Sequence, residues 1–222
     1  MFLPHLEDRL HLQLLVHALD VAGVAVGAIG GTLHARNHPR YHYDIVGAFG
    51  LALVSALGGG IVRDLMLQHG PPLALTDLHY LYIALAASAL TLLLGRWVGG
   101  DRTQATLLPI DAAAVALFAV AGTARAEAFG LTWLPAVMLG ITTAVGGGSI
   151  RDVLSGSTPR VFERGTFYAL AALAAALAYL AFDHLNLPDL WSVTLAVLVG
   201  FTLRMLSVRF NWTTDSIRLR RP

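Results

Sequence analysis

One short segment occurs twice in this chain and strongly limits how the chain can fold. Residues 58–64 read Gly-Gly-Gly-Ile-Val-Arg-Asp, and residues 146–152 read Gly-Gly-Gly-Ser-Ile-Arg-Asp. Each copy lies inside an apolar stretch long enough to cross a bilayer, where glycines weaken a helix and a charged pair is costly to bury. Two such segments at matching positions predict a paired polar structure inside a membrane, which is typical of a permeation pathway.

The composition places the chain among integral membrane proteins. Of its 222 residues, 56% are hydrophobic and 13% are charged, whereas a soluble domain carries about 25% charged residues. The chain has no cysteine, which excludes disulfides, thiolate catalysis and cysteine-based metal sites. Charged residues near the start and a long apolar run after them argue against a cleavable signal peptide. We therefore expect one transmembrane domain over residues 1–222.

Seven hydrophobic runs predict an all-α membrane protein. Each run is close to the roughly 20 residues that span a bilayer, and short links rich in glycine, proline or asparagine separate them. Most runs are apolar on every side, unlike the helices of a soluble bundle. The predicted helices cover residues 12–33, 44–69, 78–98, 106–127, 131–154, 165–183 and 189–208.

The repeat extends beyond the glycine segments. Asp20 and Asp111 open similar stretches, Thr32 matches Thr123, and further positions match through the following helices. The unit is three helices used twice, over about residues 12–98 and 106–183, followed by a seventh helix over 189–208 and a basic tail over 209–222. Because each unit crosses the membrane an odd number of times, the second copy runs in the opposite direction. Inverted repeats of this kind place pathways along the repeat interface.

The distribution of arginine predicts the orientation in the membrane. All 15 basic residues are arginine, and arginine-rich links face the cytoplasm. We expect the protein in the plasma (inner) membrane with its N-terminus outside and its C-terminus inside. The basic tail is interpreted as a topology signal that contacts anionic lipid and not as a nucleic-acid site. Arg9 and Arg125 fall on the outer side, and the inner side collects Arg36, Arg40, Arg96, Arg102, Arg160, Arg164, Arg209, Arg218, Arg220 and Arg221.

The two glycine triplets have two interpretations. Each glycine costs about 1 kcal/mol relative to alanine in a helix, so three in a row favour a kink or an unwound turn. Carbonyls released there and facing a watery cavity could ligate a cation. Close packing of two helices is the alternative, but a charged pair after each triplet favours the pathway. The residues are Gly58, Gly59, Gly60, Gly146, Gly147 and Gly148.

The pairs Arg63-Asp64 and Arg151-Asp152 are candidate pathway residues. Sequence neighbours point about 100° apart on a helix, so we expect each charge to find water or a partner on another helix and not a partner within its own pair. Buried charge in a span marks a pathway by default. The alternative is that both pairs cap helix ends and reach the membrane surface.

Four further residues are candidates for the pathway. Asp20 and Asp111 lie about 8–12 Å inside their predicted helices, given a rise of about 1.5 Å per residue. Each could attract a cation or relay a proton, or could simply bond to a neighbouring backbone. Ser55 and Thr143 could line a pore with hydroxyl groups or bond back to their own helices.

Other patterns carry weaker predictions. Glycines at 23, 27 and 31 form a small-residue stripe that favours helix packing. Histidines at 34, 38 and 42 resemble a metal cluster, but Pro39 interrupts the helix between them, so no metal site is predicted. No nucleophile elbow, phosphate loop or His-Glu-x-x-His pattern occurs, and no enzymatic activity is expected.

The doubled Gly-Gly-Gly-x-x-Arg-Asp motif resembles the prokaryotic trimeric intracellular cation (TRIC) channel family, also labelled UPF0126 or the glycine transporter domain family. The resemblance covers about residues 12–208. It implies a homotrimer with one hourglass pore in each subunit, lined by the second and fifth helices, which bend at the triplets. It also implies monovalent-cation conduction, notably of potassium with sodium as a further candidate, with no cofactor and with bound lipid allowed. Arg63, Asp64, Arg151 and Asp152 would lie beside the conduit.

One departure limits this transfer. Animal members carry Lys-Glu-Val after one glycine motif and bind phosphoinositide there, whereas this chain has Arg-Asp in both places and no lysine. The residues alone leave three functions open: a passive cation channel, a secondary transporter of a small zwitterion such as glycine, and a membrane scaffold. The polar residues favour a conduit over a scaffold, and only the resemblance favours the channel over the transporter.

Overall fold

The computed structural model describes residues 4–68, 70–95, 102–163 and 165–214. The expected all-α fold is confirmed, because the described part consists of helices and short links. Five arginines used to predict orientation, at positions 96, 164, 218, 220 and 221, lie outside the described residues. The helices are α1 (Pro4–Arg36), α2 (Ile45–Leu67), α3 (Leu73–Thr76), α4 (Leu78–Leu94), α5 (Arg102–Ala128), α6 (Trp133–Leu154), α7 (Ala169–His184) and α8 (Asp189–Arg209).

Local sequence explains where the helices begin and end. The Asp44 carboxylate accepts a hydrogen bond from the Gly47 backbone N–H at 2.7 Å and caps the start of α2. At the other end, Gln68 adopts a left-handed conformation (φ 52°), and the prolines at 71 and 72 prevent the helix from continuing. Asp77 caps α4 through the His79 N–H.

Most predicted boundaries agree with the structure within four residues, and the start of α1 differs most. α1 begins at Pro4 and not at residue 12, because polar residues at its start extend the helix beyond its apolar part. α7 begins at Ala169 and not at residue 165, because Thr166 forms a bridge with Thr213 in the link before it. The single turn of α3 was not predicted.

Within the described residues, five helices are long and apolar enough to cross a membrane. They are α2, α6, α8 and the apolar parts of α1 and α5, over 11–36 and 107–128. α4 and α7 are equally apolar but only 17 and 16 residues long. Large apolar side chains cover much of the outside, including Ile45, Val46 and Leu93. Such a surface is unfavourable in water and matches a lipid environment.

The interior is built from small side chains that let the helices approach closely. α1, α2, α5 and α6 pack together at the centre, and α8 packs against α5 and α7. The contacts that α1, α2 and α4 make with one another recur among α5, α6 and α7. Alanine dominates the buried core, as expected where van der Waals packing and not hydrophobic burial holds helices together.

Candidate functional site

The two glycine triplets meet where α2 crosses α6. A Cβ atom added to Gly59 would overlap the Thr143 carbonyl oxygen, and one added to Gly147 would overlap the Ser55 carbonyl oxygen. Both helices remain α-helical through their triplets. An unwound turn, one of the two expected distortions, is therefore wrong for this structure. The α-helix survives because the neighbouring helix packs directly on the glycine backbone.

The middle glycine of each triplet has the closest contact, with a backbone carbonyl of the other helix, and the first glycine has a looser one: a Cβ at Gly146 would lie 3.3 Å from Gly59 Cα. A Cβ at Gly60 would lie 3.7 Å from its nearest neighbour, an Arg63 nitrogen, and one at Gly148 would lie 3.1 Å from the Tyr168 hydroxyl. A Cβ at Gly58 would meet the end of the Ile150 side chain at 3.2 Å. Flexible side-chain ends can move away, whereas the backbone carbonyls beside the middle glycines cannot.

The first charged cluster lies at the C-terminal end of α2. Arg63 Nη1 donates to Asp20 Oδ1 at 2.6 Å, and both side chains are only 2% exposed. Arg63 Nε also donates to Asp64 Oδ1 at 2.9 Å. Arg125 of α5 approaches the same carboxylate, with its Nε 3.5 Å from Asp64 Oδ1. The cluster therefore joins both halves of the chain.

The second charged cluster occupies the matching end of α6. Arg151 donates to Asp152 Oδ1 from Nε at 2.9 Å and from Nη2 at 2.7 Å. Its Nη1 lies 3.4 Å from Ser55 Oγ on α2. The expectation that each charge would avoid its sequence neighbour is therefore wrong in both pairs, because the long arginine side chain folds back onto the following carboxylate. The expected contacts with other helices are also present.

Each aspartate of a pair also binds the link that follows its helix. Asp64 Oδ2 accepts from the Leu73 N–H at 2.9 Å, and Asp152 Oδ2 accepts from the Arg160 N–H at 3.4 Å. The pairs thus terminate their helices, as the capping interpretation expected. They do not reach the surface, because all four side chains are buried in this chain.

The two inner aspartates differ, although the sequence repeats them. Asp20 is paired with Arg63, whereas Asp111 makes no such pair with Arg151. Asp111 instead accepts from the Tyr168 hydroxyl at 3.5 Å and lies 3.3 Å from Arg160 Nη1. In each carboxylate, Oδ2 is buried without a hydrogen bond.

The Asp111 carboxylate affects the pKa of Arg160. Burial by itself lowers the pKa of the Arg160 guanidinium, but the nearby Asp111, Tyr168 and Asp152 outweigh burial and raise that pKa above its ordinary value. The guanidinium therefore stays charged. A loop residue thus supplies the positive charge that Arg63 supplies in the first half.

The two hydroxyl residues behave differently. Thr143 Oγ1 donates back to the Leu139 carbonyl of its own helix at 2.7 Å, as the alternative for that residue proposed. Ser55 Oγ faces Arg151 and borders a small cavity. Of the two, only Ser55 has its hydroxyl directed at the charged residues of the other half.

Two small cavities flank the crossing of α2 and α6. One of ≈ 20 Å³ is bordered by Ser55, Asp111 and Arg151, and one of ≈ 10 Å³ by Asp20, Arg63 and other residues of the first cluster. A buried water needs about 10–15 Å³, so each cavity holds about one water molecule. Phe118 borders both. The site is closed in this conformation.

Several residues near the site were not singled out from the sequence. Arg125, Arg160 and Tyr168 complete the charged clusters, although the first two entered the prediction only as topology markers. Arg204 of α8 donates to the Thr166 hydroxyl at 2.6 Å and lies over the Tyr168 ring. The sequence could have indicated Arg125 and Arg204, because each is an arginine inside an otherwise apolar run.

The glycine stripe and the histidines noted in the sequence also make defined contacts. The stripe at positions 23, 27 and 31 packs against α5 and α2, so the packing interpretation is confirmed. Of the three histidines first considered as a cluster, His34 pairs with the Ser155 hydroxyl at 3.0 Å. His38 stacks on Tyr41.

Comparison with known proteins gives consistent matches. A family model described as "Glycine transporter" matches residues 17–96 and 108–184. The chain is 34% identical to the UPF0126 inner membrane protein YadS of Escherichia coli over 200 residues, which cover 89% of this chain and 94% of that protein. It is 38% identical to a UPF0126 membrane protein of Deinococcus radiodurans over 162 residues, covering 72% and 73% of the two chains.

Solved structures match the fold as well. A TRIC trimeric intracellular cation channel orthologue from Rhodobacter sphaeroides has a TM-score of 0.80 at 30% identity, covering 89% of this chain and 98% of its own. A prokaryotic TRIC channel determined in 0.5 M KCl has a TM-score of 0.80 at 28% identity, covering 91% and 100%.

Proposed function

The chain belongs to the TRIC/UPF0126 family of membrane proteins, and from this premise we propose that it is a passive channel for monovalent cations. The family is not an enzyme family. The similarity to solved TRIC cation channels over about nine tenths of the chain carries the proposal.

The proposed route runs between α2 and α6. The small cavities on the two sides of the Gly59–Gly147 contact, each bordered by an acidic side chain, would be the two ends of this route. Conduction requires the two helices to separate at this contact, and bending at the triplets would do so. Ser55 would then offer its hydroxyl to the ion in place of water.

The architecture proposed for this function is two inverted three-helix repeats and a seventh helix. α1, α2 and α4 form the first repeat, and α5, α6 and α7 the second, in line with their recurring contacts. All seven would cross the membrane, with α4 and α7 as short spans. Residues 1–222 would form one domain, with the N-terminus outside and the C-terminus in the cytoplasm.

Assembly and ion selectivity are also proposals. By similarity to solved TRIC channels, this chain would form a homotrimer with one pore in each subunit. Potassium would be the main permeant ion and sodium a further one, with no cofactor required and with lipid filling the outer grooves. The mass of the purified protein in detergent, measured by light scattering, tests the trimer, and a monomeric mass would contradict it.

Reconstitution in liposomes tests the function. Potassium-loaded liposomes containing the protein should release potassium down its gradient when a protonophore supplies the counter-charge, and planar bilayers should show step-like currents. Liposomes without protein are the first control. The second control is liposomes that contain a double variant, Gly58→Cys with Ile150→Cys, in which α2 and α6 are covalently linked.

A secondary transporter of glycine is the second candidate, because the family model carries that name. It predicts saturable uptake of labelled glycine and no step-like currents. That pair of results would replace the channel proposal. Potassium release without glycine uptake would leave the channel as the function.

A further inference from the structure

A cavity larger than the two beside the α2–α6 crossing opens next to the first charged cluster. It has a volume of ≈ 580 Å³ and opens between α1, α5 and α7, at the end of the bundle where α7 ends. Cavities of about 300–1,000 Å³ are typical of small-molecule sites. Its lining includes Leu12, Gln13, Val16, His17, Leu73, Arg125, Glu127, Phe129, Tyr179 and Asp183.

Two acidic side chains line this cavity, and the repulsion between them is only partly offset by the nearby His184. Glu127 of α5 interacts electrostatically with Asp183 of α7, and both are only partly exposed. Within the described ranges, neither carboxylate forms a hydrogen bond or an ion pair. Two like charges held side by side on different helices repel each other, and a cation between them removes that cost.

Tyr179 is an independent indication that the cavity holds a ligand. Its side chain is 2% exposed, yet it lines the cavity and interacts electrostatically with Asp183 and Glu127. No described residue hydrogen-bonds to its hydroxyl. Because Tyr179 lines the cavity together with the two carboxylates, its hydroxyl is available to hydrogen-bond to a ligand there.

The lining indicates which class of cation would bind. Within the described residues no group of three histidine, aspartate or glutamate side chains is suitable for a metal ion. Arg125 also lines the cavity, but its guanidinium lies near Asp64 and over the Phe129 ring, so it has contacts other than the two acidic side chains. Much of the remaining wall is apolar or aromatic, which favours a cation with an apolar body.

We propose that this cavity binds an organic ammonium ion. The ammonium nitrogen lies between the Glu127 and Asp183 carboxylates beside the Tyr179 hydroxyl, and the apolar body packs against Leu12 and Val16. The proposal concerns binding to the closed protein and does not depend on conduction.

Calorimetric titration of the purified full-length protein in detergent with 4-phenylbutylammonium chloride tests the proposal. Saturable binding is expected, and the neutral analogue 4-phenyl-1-butanol should bind at least tenfold more weakly. Glycine should bind no better than the neutral analogue, because it lacks an apolar body. Equal binding of the ammonium and the alcohol would overturn the role of the carboxylates, and absence of saturable binding would overturn the site.

Matched variants locate the binding. Combining Glu127→Gln with Asp183→Asn should weaken binding at least tenfold, and Tyr179→Phe, which keeps the ring, should weaken it about fivefold, the loss of one hydrogen bond. Glu163→Gln changes an exposed carboxylate at the opposite end of the bundle and should have no effect. Equal weakening by Glu163→Gln, or none by Tyr179→Phe and the double variant, would contradict the proposal.

Discussion

At the scale of single residues, the two triplets are less uniform than their sequence. Gly59 and Gly147 each lie against a backbone carbonyl of the other helix, whereas Gly60 and Gly148 face only the ends of side chains. Glycine in a helix is destabilising because it loses more conformational entropy on folding than other residues. That cost is offset at the middle position by the close contact of α2 with α6. The outer glycines lack this carbonyl contact, so they remain available for bending or for access to the charged residues.

Alanine substitution should separate these roles. We expect Gly59→Ala to destabilise the protein by about 2 kcal/mol, because the added methyl group displaces the Thr143 carbonyl. Gly60→Ala should be neutral or stabilising by up to about 1 kcal/mol, since it meets no close atom. Unfolding in mixtures of mild detergent and SDS measures both. Equal destabilisation by the two variants would contradict the assignment of the contact to Gly59.

The two inner aspartates provide a second comparison within one chain. Asp20→Asn leaves Arg63 buried with Asp64 as its remaining charged partner, and we expect a loss of about 3 kcal/mol. Asp111→Asn breaks a contact to Arg160, which is 40% exposed, and should cost about 1 kcal/mol or less.

The same unfolding assay compares Asp20→Asn and Asp111→Asn. Glu163→Gln, in the link between α6 and α7, is a control for removing an exposed carboxylate. A larger loss of stability in Asp111→Asn than in Asp20→Asn would contradict the ion pairs seen in this structure.

At the scale of helices, α2 and α6 form the contact that must change for ions to pass. The Ser55 and Thr143 carbonyls each cover the middle glycine of the opposite helix, so the contact is closed from both sides. Phe118 of α5 borders the cavities next to it. Because α2 borders both cavities, movement of this helix changes both of them.

Linking α2 to α6 should abolish ion flux. The chain has no cysteine, so Gly58→Cys and Ile150→Cys can be introduced as a unique pair at positions that face each other across the contact. Joining the two thiols with a short bifunctional thiosulfonate should stop potassium release from liposomes, and a reductant should restore it.

The single variants Gly58→Cys and Ile150→Cys, treated in the same way, control for modification alone. Unchanged flux through the linked double variant would show that ions do not pass between α2 and α6.

At the scale of the whole molecule, charge is distributed unequally between the two ends. Arg36, Arg40, Arg160 and Arg209 lie at the end where α6 and α8 finish. Glu127 and Asp183 lie at the opposite end. Because positive links remain in the cytoplasm, we expect the end that carries these arginines to face the cytoplasm.

Labelling of single cysteines tests this orientation. We expect His79→Cys, at an exposed position in the first turn of α4, to react with a membrane-impermeant maleimide in intact cells. Glu163→Cys, in the α6–α7 link, should react only after the membrane is made permeable. The unmodified protein, which has no cysteine, is the blank. The reverse pattern would invert the proposed topology.

Much of the fold followed from the sequence because it depends on local properties. Apolar length determined the number and approximate limits of the long helices, and proline and glycine in the links determined most of their ends. The doubled motif identified which two helices carry the glycines and the charged pairs. These features need no knowledge of which helix touches which.

Partners in space required the tertiary structure. The sequence presents Asp20 and Asp111 as equivalent, but Arg160 stands where the first half has Pro72, so only the second half has a loop arginine for its aspartate. The α-helical course of the triplets was also decided by packing, because the opposite helix covers the glycine backbone. The sequence repeat determines which residues occur twice. The contacts among α2, α5, α6 and their links determine which partner each copy of the motif binds.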